Sequence, residues 1–158
     1  MSVRPPLDPA ELQQKIVKVS PYTKRFDSLP THIAVTDENA YILYANKLAA
    51  EKTGYLDPRE VLGKNPGDLW GGRMDPQFFT QMWKTIKIDK KQYVGKVKNM
   101  KKNGAEYWVS LQITPILNAQ DEVVYFVALE PDVDIKQEYL EEVYALVEEF
   151  KNEVKSLS

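Results

Sequence analysis

The order of sequence signals between residues 33 and 132 constrains the fold more than any other feature of this chain. Two short alternating segments, His32–Asp37 and Tyr41–Ala45, are joined by a turn signal at Asp37–Ala40. Short helical segments broken by glycine and proline follow, and three long alternating segments close the region. Because alternation with period two is typical of strands that bury one face, this order predicts an α+β fold. We expect a five-stranded antiparallel sheet with a helical flap over one face.

Turn signals divide the end of this region into three strands. The strands Tyr93–Lys101 and Glu106–Leu117 are joined through Asn103-Gly104, and an Asn-Gly pair between alternating segments is a strong hairpin signal. The turn Asn118–Asp121 then leads into the strand Val123–Leu129. A curved sheet of this kind, covered by a flap, forms a cup that can hold a small ligand.

Helical signals lie on both sides of the sheet region. Asp8 followed by Pro9 predicts the start of a first helix, which we expect to end at Pro21. Asp134 is the expected N-cap of a long last helix. The apolar stripe of that helix has the four-three spacing of an imperfect coiled coil. It comprises Tyr139, Val143, Leu146, Phe150 and Leu157, and it is broadened by Leu140, Val147 and Val154.

These signals divide the chain into an N-terminal arm and cap helix (1–28), a sheet domain (29–132) and a C-terminal helix (133–158). A length of 158 residues is enough for one domain with a real core. The absence of cysteine excludes disulfides, thiolate metal sites and a cysteine nucleophile. Neither a long apolar run nor a signal-peptide core occurs, so we expect a soluble, cytoplasmic module.

Charge is distributed unevenly, although the net charge of -2 gives no general reason to expect nucleic acid or membrane binding. From Lys84 to Lys102 there are eight lysines against Asp89, and from Glu130 to Glu153 nine acids against Lys136 and Lys151. Two solvated faces explain this pattern. Alternatively, the acidic C-terminal helix packs near the lysine-rich strand edge of its own or a partner subunit.

Four short motifs in a fixed order carry a family resemblance. They are A-Y-I-L-Y-A-N, T-G-Y, E-V-L-G-K-N-P and G-R-M-D-P-Q-F-F-T-Q-M-W. Together they resemble the PAS superfamily of sensor domains over about residues 29–132, and within it the branch found in flavin-containing redox sensors. A fifth stretch, K-N-M-K-K-N-G-A-E-Y-W-V, is especially similar to aerotaxis receptors.

The resemblance implies specific ligand positions. Related light-oxygen-voltage domains carry a reactive cysteine directly after the asparagine that Asn65 matches, but this chain has Pro66 there, so a cysteinyl photoadduct cannot form. Asn99 matches a strand asparagine that hydrogen-bonds the flavin ring. Val109 stands where light sensors use a second asparagine, and Glu130 matches a last-strand position that is glutamine in light sensors.

Further positions complete the candidate site. Tyr93 stands where the nitrogen-fixation redox sensor carries a tryptophan against its cofactor, and Arg73 and Lys64 could meet a phosphate tail. Trp70 and Trp83 serve either as ligand platforms or as core plugs. The resemblance implies FAD, with FMN or no cofactor as the alternatives. The candidate cofactor-binding residues are Asn65, Trp70, Arg73, Tyr93, Asn99, Val109 and Glu130.

Strand alternation tests this assignment independently of the family. If Asn99 points into the cup, period two brings a mostly apolar set with it, as expected of a small-molecule site. The inward set is Tyr93, Gly95, Val97, Val109, Leu111, Ile113, Phe126, Ala128 and Glu130. The outward set, which something must cover, is Trp108, Ser110, Gln112, Thr114, Tyr125, Val127 and Leu129.

Each candidate also has a structural explanation. Asn99 can cap a strand end, Glu130 can be solvated at its strand end, and Arg73 can form a surface ion pair. His32, the only histidine, stands at the start of what we take as an edge strand. It is therefore poorly placed to bind haem, and spaced metal ligands are missing.

The leading hypothesis is a sensory module of a longer signalling protein that binds a flavin and reports redox state or oxygen to a C-terminal effector domain. We expect a homodimer formed through the N-terminal helix and the outer face of the sheet. The alternative is a cofactor-free dimerisation or relay module, or a sensor of a small metabolite. The sequence shows no nucleophile with a base, paired acids or phosphate-binding glycine loop, so we do not expect an enzyme.

Overall fold

The computed structural model describes residues 5, 7–71 and 73–157. In chain order its elements are α1 (Pro9–Thr23), β1 (His32–Asp37), β2 (Ile42–Ala45), α2 (Lys47–Lys52), α3 (Pro66–Leu69), α4 (Pro76–Trp83), β3 (Tyr93–Met100), β4 (Glu106–Leu117), β5 (Val123–Glu130) and α5 (Gln137–Ser156). Short 3-10 turns cover Lys24–Phe26 and Pro58–Val61, and the π-helical turn Lys84–Ile88 extends α4. Among the described residues, no helix combines the length and apolar character needed to cross a membrane.

The five strands form one antiparallel sheet in the order β2-β1-β5-β4-β3, which confirms the predicted α+β fold. The first and last strands pair in the middle of the sheet, with His32 opposite Glu130 and Asp37 opposite Tyr125. In the sequence, β5 follows the short helices and strands β3 and β4, and it then pairs with β1. This nonlocal pairing places the two ends of the sheet domain side by side.

Strand β4 is longer than its neighbour β5. The β4–β5 ladder begins at Gln112 and Leu129, whereas β3 pairs with β4 as far as Glu106. Pro131, which lacks a backbone donor, directly follows β5. The first half of β4 consequently borders β3 on one side and an open groove on the other.

The outer face of β2, β1, β5 and the end of β4 is closed by α1 and α5. Outward residues of the central strands join apolar residues of both helices in one large cluster. Phe150 of α5 is fully buried and lies against Tyr22 of α1 and Tyr125 of β5, with ring centroids 5.3 and 5.7 Å apart. The predicted outward direction of Tyr125, Val127 and Leu129 is confirmed, and their cover comes from the same chain.

The inner face is covered by the flap, the short helical elements between residues 46 and 88. Two smaller clusters lie here: one packs α2 and Trp70 against β1 and β2, and the other packs α4 and its π turn against β4 and β5. Glycine and proline keep each flap element short. The 3-10 turn at Pro58 starts from Asp57, whose carboxylate accepts from the Arg59 N–H, and Asn65 caps α3 through the Gly67 N–H at 2.8 Å.

The helix boundaries differ from the sequence prediction in two places. Helix α1 runs past Pro21 to Thr23. Pro21 has no N–H to donate to the Val17 carbonyl, but Val17 is 61 % exposed, so water can take the place of this donor. Helix α5 begins at Gln137 rather than after Asp134, because a turn in which the Ile135 N–H donates to the Asp132 carbonyl comes first.

The predicted stripe of α5 was also partly wrong. The buried residues are Val143, Val147, Phe150 and Val154, whereas Tyr139 and Leu157 are 41 % and 56 % exposed. The spacing is still four-three, but the register is set by contact with the sheet of the same chain. The apolar seam is therefore used within one subunit.

Candidate ligand-binding site

A cavity of about 150 Å³ lies between the inner face of the sheet and the flap. The flap contributes large flexible or aromatic side chains, and the strands contribute small and branched ones. Polar groups occupy one end of the cavity. The apolar wall consists of Ala34, Trp70, Met74, Phe78, Phe79, Met82, Trp83, Ile86, Val97, Leu111, Ile113, Phe126 and Ala128.

A buried carboxylate forms the polar end. Glu130, at the last position of β5, is 4 % exposed, and both of its oxygens are engaged. Asn99 Nδ2 on β3 donates to Oε1 at 2.5 Å, and His32 Nδ1 on β1 lies 2.7 Å from Oε2. Because a buried carboxylate without partners is strongly unfavourable, these two side chains account for its presence in the interior.

Tyr107 on β4 extends this polar cluster. It faces Asn99 across the β3–β4 ladder. Burial raises the pKa of the Tyr107 phenol, the negative charge of Glu130 raises it further, and a hydrogen bond from Asn99 acts in the opposite direction. The Asn99 amide thus contacts both acidic groups, and the phenol remains protonated well into the alkaline range.

Trp70 carries an unmatched donor beside this cluster. Its side chain is 4 % exposed and lies edge-to-face with the His32 ring at a centroid distance of 5.2 Å. The backbone carbonyl of Trp70 accepts from the Met100 N–H at 2.5 Å, which fixes this part of the flap to β3. The indole Nε1 is buried and has no hydrogen-bond partner within the described part of the chain. An orphaned buried donor in a cavity wall is a feature that a ligand acceptor would satisfy.

Four of the seven predicted site residues lie together at the cavity. Asn99, Glu130 and Trp70 line it near the polar end, and Asn65 lines it where it caps α3. Val109 points to the same side of the sheet as its partner Val97. However, it borders the separate groove beyond the end of β5, because the ladder that would close the sheet there stops at Gln112.

Two predicted site residues lie elsewhere. Arg73 is exposed on the surface, where its guanidinium lies 2.7 Å from Met100 Sδ and 3.9 Å from Glu106, so it does not reach the cavity. Tyr93 is on the inner face but packs against Phe78, at a centroid distance of 5.8 Å, beyond the cavity. Its hydroxyl also occupies the space beside Gly95, where a Cβ would lie 2.5 Å from it. The space beside Gly95 is therefore filled by the Tyr93 side chain and is not open to a ligand ring.

The prediction that His32 stands at the start of an edge strand was wrong. Strand β1 is not an edge strand, because it lies between β2 and β5. His32 is 2 % exposed, lines the cavity and contacts Glu130. His32 begins the first predicted strand and Glu130 follows the last one. Pairing these two strands would therefore have predicted the contact between the two side chains. Within the described residues, no cluster of three or more His, Asp or Glu side chains forms a metal site.

The chemistry of the cavity fits a flavin ring, whereas its present volume is too small for one. The ring needs apolar walls and partners for a heteroatom edge, and the cavity has both, together with the orphaned Trp70 donor. A volume of about 150 Å³ is below the range of roughly 300–1,000 Å³ typical of ligand pockets. Binding of such a ring would require Phe78, Phe79 and Trp83 of the flap to move outward.

Comparisons with known proteins agree with this geometry. Residues 30–133 match the family described as PAS domain. A nitrogen fixation regulatory protein of Klebsiella oxytoca is 31 % identical over 103 residues, covering 65 % of this chain and 20 % of that protein. A blue-light-activated histidine kinase of Brucella anthropi is 26 % identical over 122 residues, covering 75 % of this chain and 24 % of the kinase. The chain thus spans about a fifth to a quarter of the length of these relatives.

A light-oxygen-voltage domain solved in a study of a flavin analogue has a similar fold. It superposes with a TM-score of 0.59 at 20 % sequence identity, over 84 % of this chain and 95 % of that domain. At this identity the likeness concerns the fold alone. It is nevertheless consistent with the resemblance drawn from the sequence motifs.

Proposed function

Because the chain belongs to the PAS domain family, related to light-oxygen-voltage domains, we propose that it is the sensory module of a larger signal-transduction protein and binds a flavin in its cavity. The observation that carries this proposal is the polar end of the cavity: the Glu130 carboxylate held by Asn99 and His32, beside the unpaired indole N–H of Trp70. A carboxylate accepts hydrogen bonds and an indole donates one, so together they recognise a ring edge that carries both an N–H and a carbonyl. A bound flavin would supply a redox-active ring with such an edge.

Strand β5 connects this cavity to α5. Alternate residues of β5 face opposite ways: Ala128 and Glu130 line the cavity, whereas Val127 and Leu129 belong to the outer cluster with Phe150. A shift of Glu130 after a change in its hydrogen bonding would therefore move residues that pack directly against α5. We propose that redox state or oxygen is reported by this route, through a dimer, to an effector domain, and that the module itself catalyses no reaction.

The first experiment asks whether flavin is bound. The purified protein is examined for the visible absorption of flavin, and the ligand-free protein is titrated with FAD, FMN and riboflavin. FAD is the form expected from the sequence resemblance, and chromatography of the released cofactor distinguishes it from FMN. Absence of binding to all three would overturn the flavin proposal.

A matched pair of asparagine variants locates the site. Asn99→Ala removes a buried donor to Glu130 and should weaken flavin binding by about tenfold, since a buried hydrogen bond contributes about 1–1.5 kcal/mol. Asn152→Ala changes an exposed residue of α5 and should leave the affinity unchanged. Equal affinities in the two variants would place the ligand elsewhere.

A second candidate function follows from the cavity volume. About 150 Å³ accommodates a small metabolite without movement of the flap, and the wall already contains several aromatic side chains of the chain itself. A PAS module that binds a small metabolite, or serves dimerisation and relay without a cofactor, would have these properties. Hydrogen exchange of α5 compared between the oxidised and reduced flavin-bound protein tests the leading proposal, and unchanged exchange would contradict reporting through α5. Failure to bind flavin would favour this alternative.

A further inference from the structure

Within the described part of the chain, the outer face of β3 and of the first half of β4 has no cover. Helices α1 and α5 lie over β2, β1, β5 and the end of β4, whereas the outward residues of β3 and the first half of β4 stay open. We call this open area the β3–β4 patch; it comprises Val94, Lys96, Lys98, Trp108 and Ser110. Val94 and Trp108 are each 62 % exposed, and Lys96 and Lys98 lie between them on the ladder. An exposed tryptophan on a sheet is an apolar group that a partner commonly covers.

The patch is positively charged. Lys98 pairs with Trp108 across the ladder, and its ammonium lies 5.6 Å from the centroid of the indole ring. Neither Lys96 nor Lys98 forms an ion pair with any residue that the structure describes. Two ammonium groups without such ion pairs, beside an exposed indole, fit an acidic partner surface that also carries aromatic groups.

Helix α5 carries a surface of this kind. Its buried side, centred on Val143, Val147 and Phe150, faces the sheet, so the opposite side faces solvent. That side and its flanks carry the acidic ridge, which comprises Glu138, Glu141, Glu142, Glu148 and Glu149, all exposed. Within the described chain none of the five forms an ion pair, and Tyr139 and Tyr144 are exposed on the flanks.

The spacing of the two surfaces matches. Lys96 and Lys98 are two residues apart on a strand, which separates their side chains by about 6.7 Å. Glu138 and Glu142 are four residues apart on a helix, which separates them by about 6 Å along the axis. An antiparallel or parallel approach of the helix to the strands therefore brings two glutamates opposite two lysines.

The ridge cannot reach the patch of its own chain. The buried side of α5 is held on the sheet by Phe150, and a helix cannot turn both sides to the same surface. A second copy of the chain can supply the ridge. With two-fold symmetry, each α5 contacts the patch of the other subunit, so the same contact forms twice.

We propose that this protein dimerises by docking the acidic ridge of α5 onto the β3–β4 patch of a second copy. The proposal rests on the dimer included in the proposed function and specifies its surface. It differs from a dimer through α1, because the apolar side of α1 already packs on its own sheet through Val19. It also links the dimer to the signal, since the docking helix is the one that packs against β5.

The test uses charge reversal in two separate chains. Lys96→Glu/Lys98→Glu reverses the patch, and Glu138→Lys/Glu142→Lys reverses the ridge. Each variant alone places like charges opposite each other, so its dimer should dissociate with a Kd at least about tenfold higher than that of the wild type. An equimolar mixture should associate as a heterodimer, because both of its contacts join opposite charges. Sedimentation equilibrium measures all three samples.

Salt and a control variant complete the design. The wild-type dimer should weaken as salt rises to about 1 M, where the screening length falls to about 3 Å. Lys18→Glu/Lys47→Glu makes the same change in net charge at exposed positions of α1 and α2 and should dimerise like the wild type. Five of the six substituted residues are exposed and Lys98 is partly exposed, and a thermal melt of each variant verifies the fold.

Three results would overturn the proposal. The wild type could remain a monomer up to about 1 mM, the charge-reversed variants could dimerise as tightly as the wild type, or the mixture could fail to associate. A dimer that is broken by Lys18→Glu/Lys47→Glu but not by Lys96→Glu/Lys98→Glu would support an interface through α1 and α2 instead. Flavin titration of the same samples keeps the proposals apart, because failed association with normal flavin binding contradicts the dimer and its surface but leaves the flavin proposal intact.

Discussion

The two faces of the sheet use alternate residues of the same strands but are closed in different ways. On the outer face, α1 and α5 are 15 and 20 residues long, and their apolar stripes leave Val143 and Phe150 with no exposed surface. On the inner face, α3 and α4 are four and eight residues long and leave a cavity of about 150 Å³. The covered part of the outer face is packed as a core, whereas the inner face keeps space beside a buried polar cluster.

The length of the covering helices explains this difference. A long amphipathic helix presents a continuous stripe that fits along a sheet, and close packing follows. Short helical pieces interrupted by proline and glycine meet the sheet at several angles, so their side chains cannot interdigitate with it as completely. We infer that the outer face supplies most of the stability and that the inner face supplies the capacity to bind.

The largest effect is expected from Phe150→Ala on the outer face. Phe150 is fully buried against Tyr22, Phe26 and Tyr125. Its removal should lower the free energy of unfolding by about 3–5 kcal/mol, because a large cavity would remain in a closely packed cluster. Denaturant unfolding measures the change. Tyr144→Ala on the exposed side of the same helix should cost about 0.5 kcal/mol or less.

The inner face provides the matched variant for this measurement. Trp83 on α4 is only partly buried and lies 5.7 Å from the ring of Phe126 across the cavity. Trp83→Ala should therefore cost less than Phe150→Ala, despite the larger side chain. If the two losses were equal, the inner face would be as closely packed as the outer one, and the contrast between them would be incorrect.

A second, smaller loss is expected from Glu130→Ala at the polar end of the cavity. The substitution leaves His32 Nδ1 and one Asn99 donor without a buried partner, which should cost about 2–3 kcal/mol. Glu130→Gln is the control, since an amide of the same size can accept from Asn99 and donate to His32. It should retain most of the stability in denaturant unfolding, and a full loss in this variant would show that the charge of Glu130 is itself required.

The fold could be predicted from the sequence because its signals are local. Turn residues, caps and alternation lie within a few positions of the structure they specify, and the helix cap at Asp8 and the hairpin through Asn103-Gly104 form as predicted. The predictions were wrong where contacts between distant parts of the chain determine which side chains are buried. The register of the α5 stripe is set by the sheet beneath it, so Val147 and Val154, predicted only to broaden the stripe, are buried, whereas Leu157 is exposed.

The site could be predicted only in part, for the same reason. Asn99 and Glu130 follow from alternation along single strands, and the structure brings them together. His32 could not be placed without the pairing of β1 with β5, which joins residues 98 positions apart in the chain. Arg73 and Tyr93 were assigned by position in a motif, but an exposed ion pair and an aromatic contact determine where their side chains lie.

Enlarged side chains at two adjacent positions of β5 test the difference in packing directly. Ala128 lines the cavity and Val127 lies in the outer cluster at 1 % exposure. Val127→Phe should cost about 1–3 kcal/mol by overpacking, whereas Ala128→Leu should cost about 1 kcal/mol or less because the cavity accepts the added carbons. Thermal and denaturant unfolding give both values. Ala128→Leu should also abolish ligand binding, and retained binding would contradict the position of the site.

The smallest effect concerns alkaline pH and the phenol of Tyr107 at the edge of the cavity. Burial and Glu130 raise its pKa above the ordinary value of 10.0, so the folded protein holds this proton more tightly than the unfolded chain does. The stabilisation is fully present below pH 10 and is lost as pH rises through the folded-state pKa. Tyr107→Phe lacks this proton, so its stability should fall less steeply above pH 10 than that of the wild type.

At pH 7 the variant should lose only about 0.5–1.5 kcal/mol, through the missing hydrogen bond with Asn99. Urea unfolding at both pH values checks the comparison, and parallel pH profiles would show that Tyr107 is not buried against the carboxylate on the inner face.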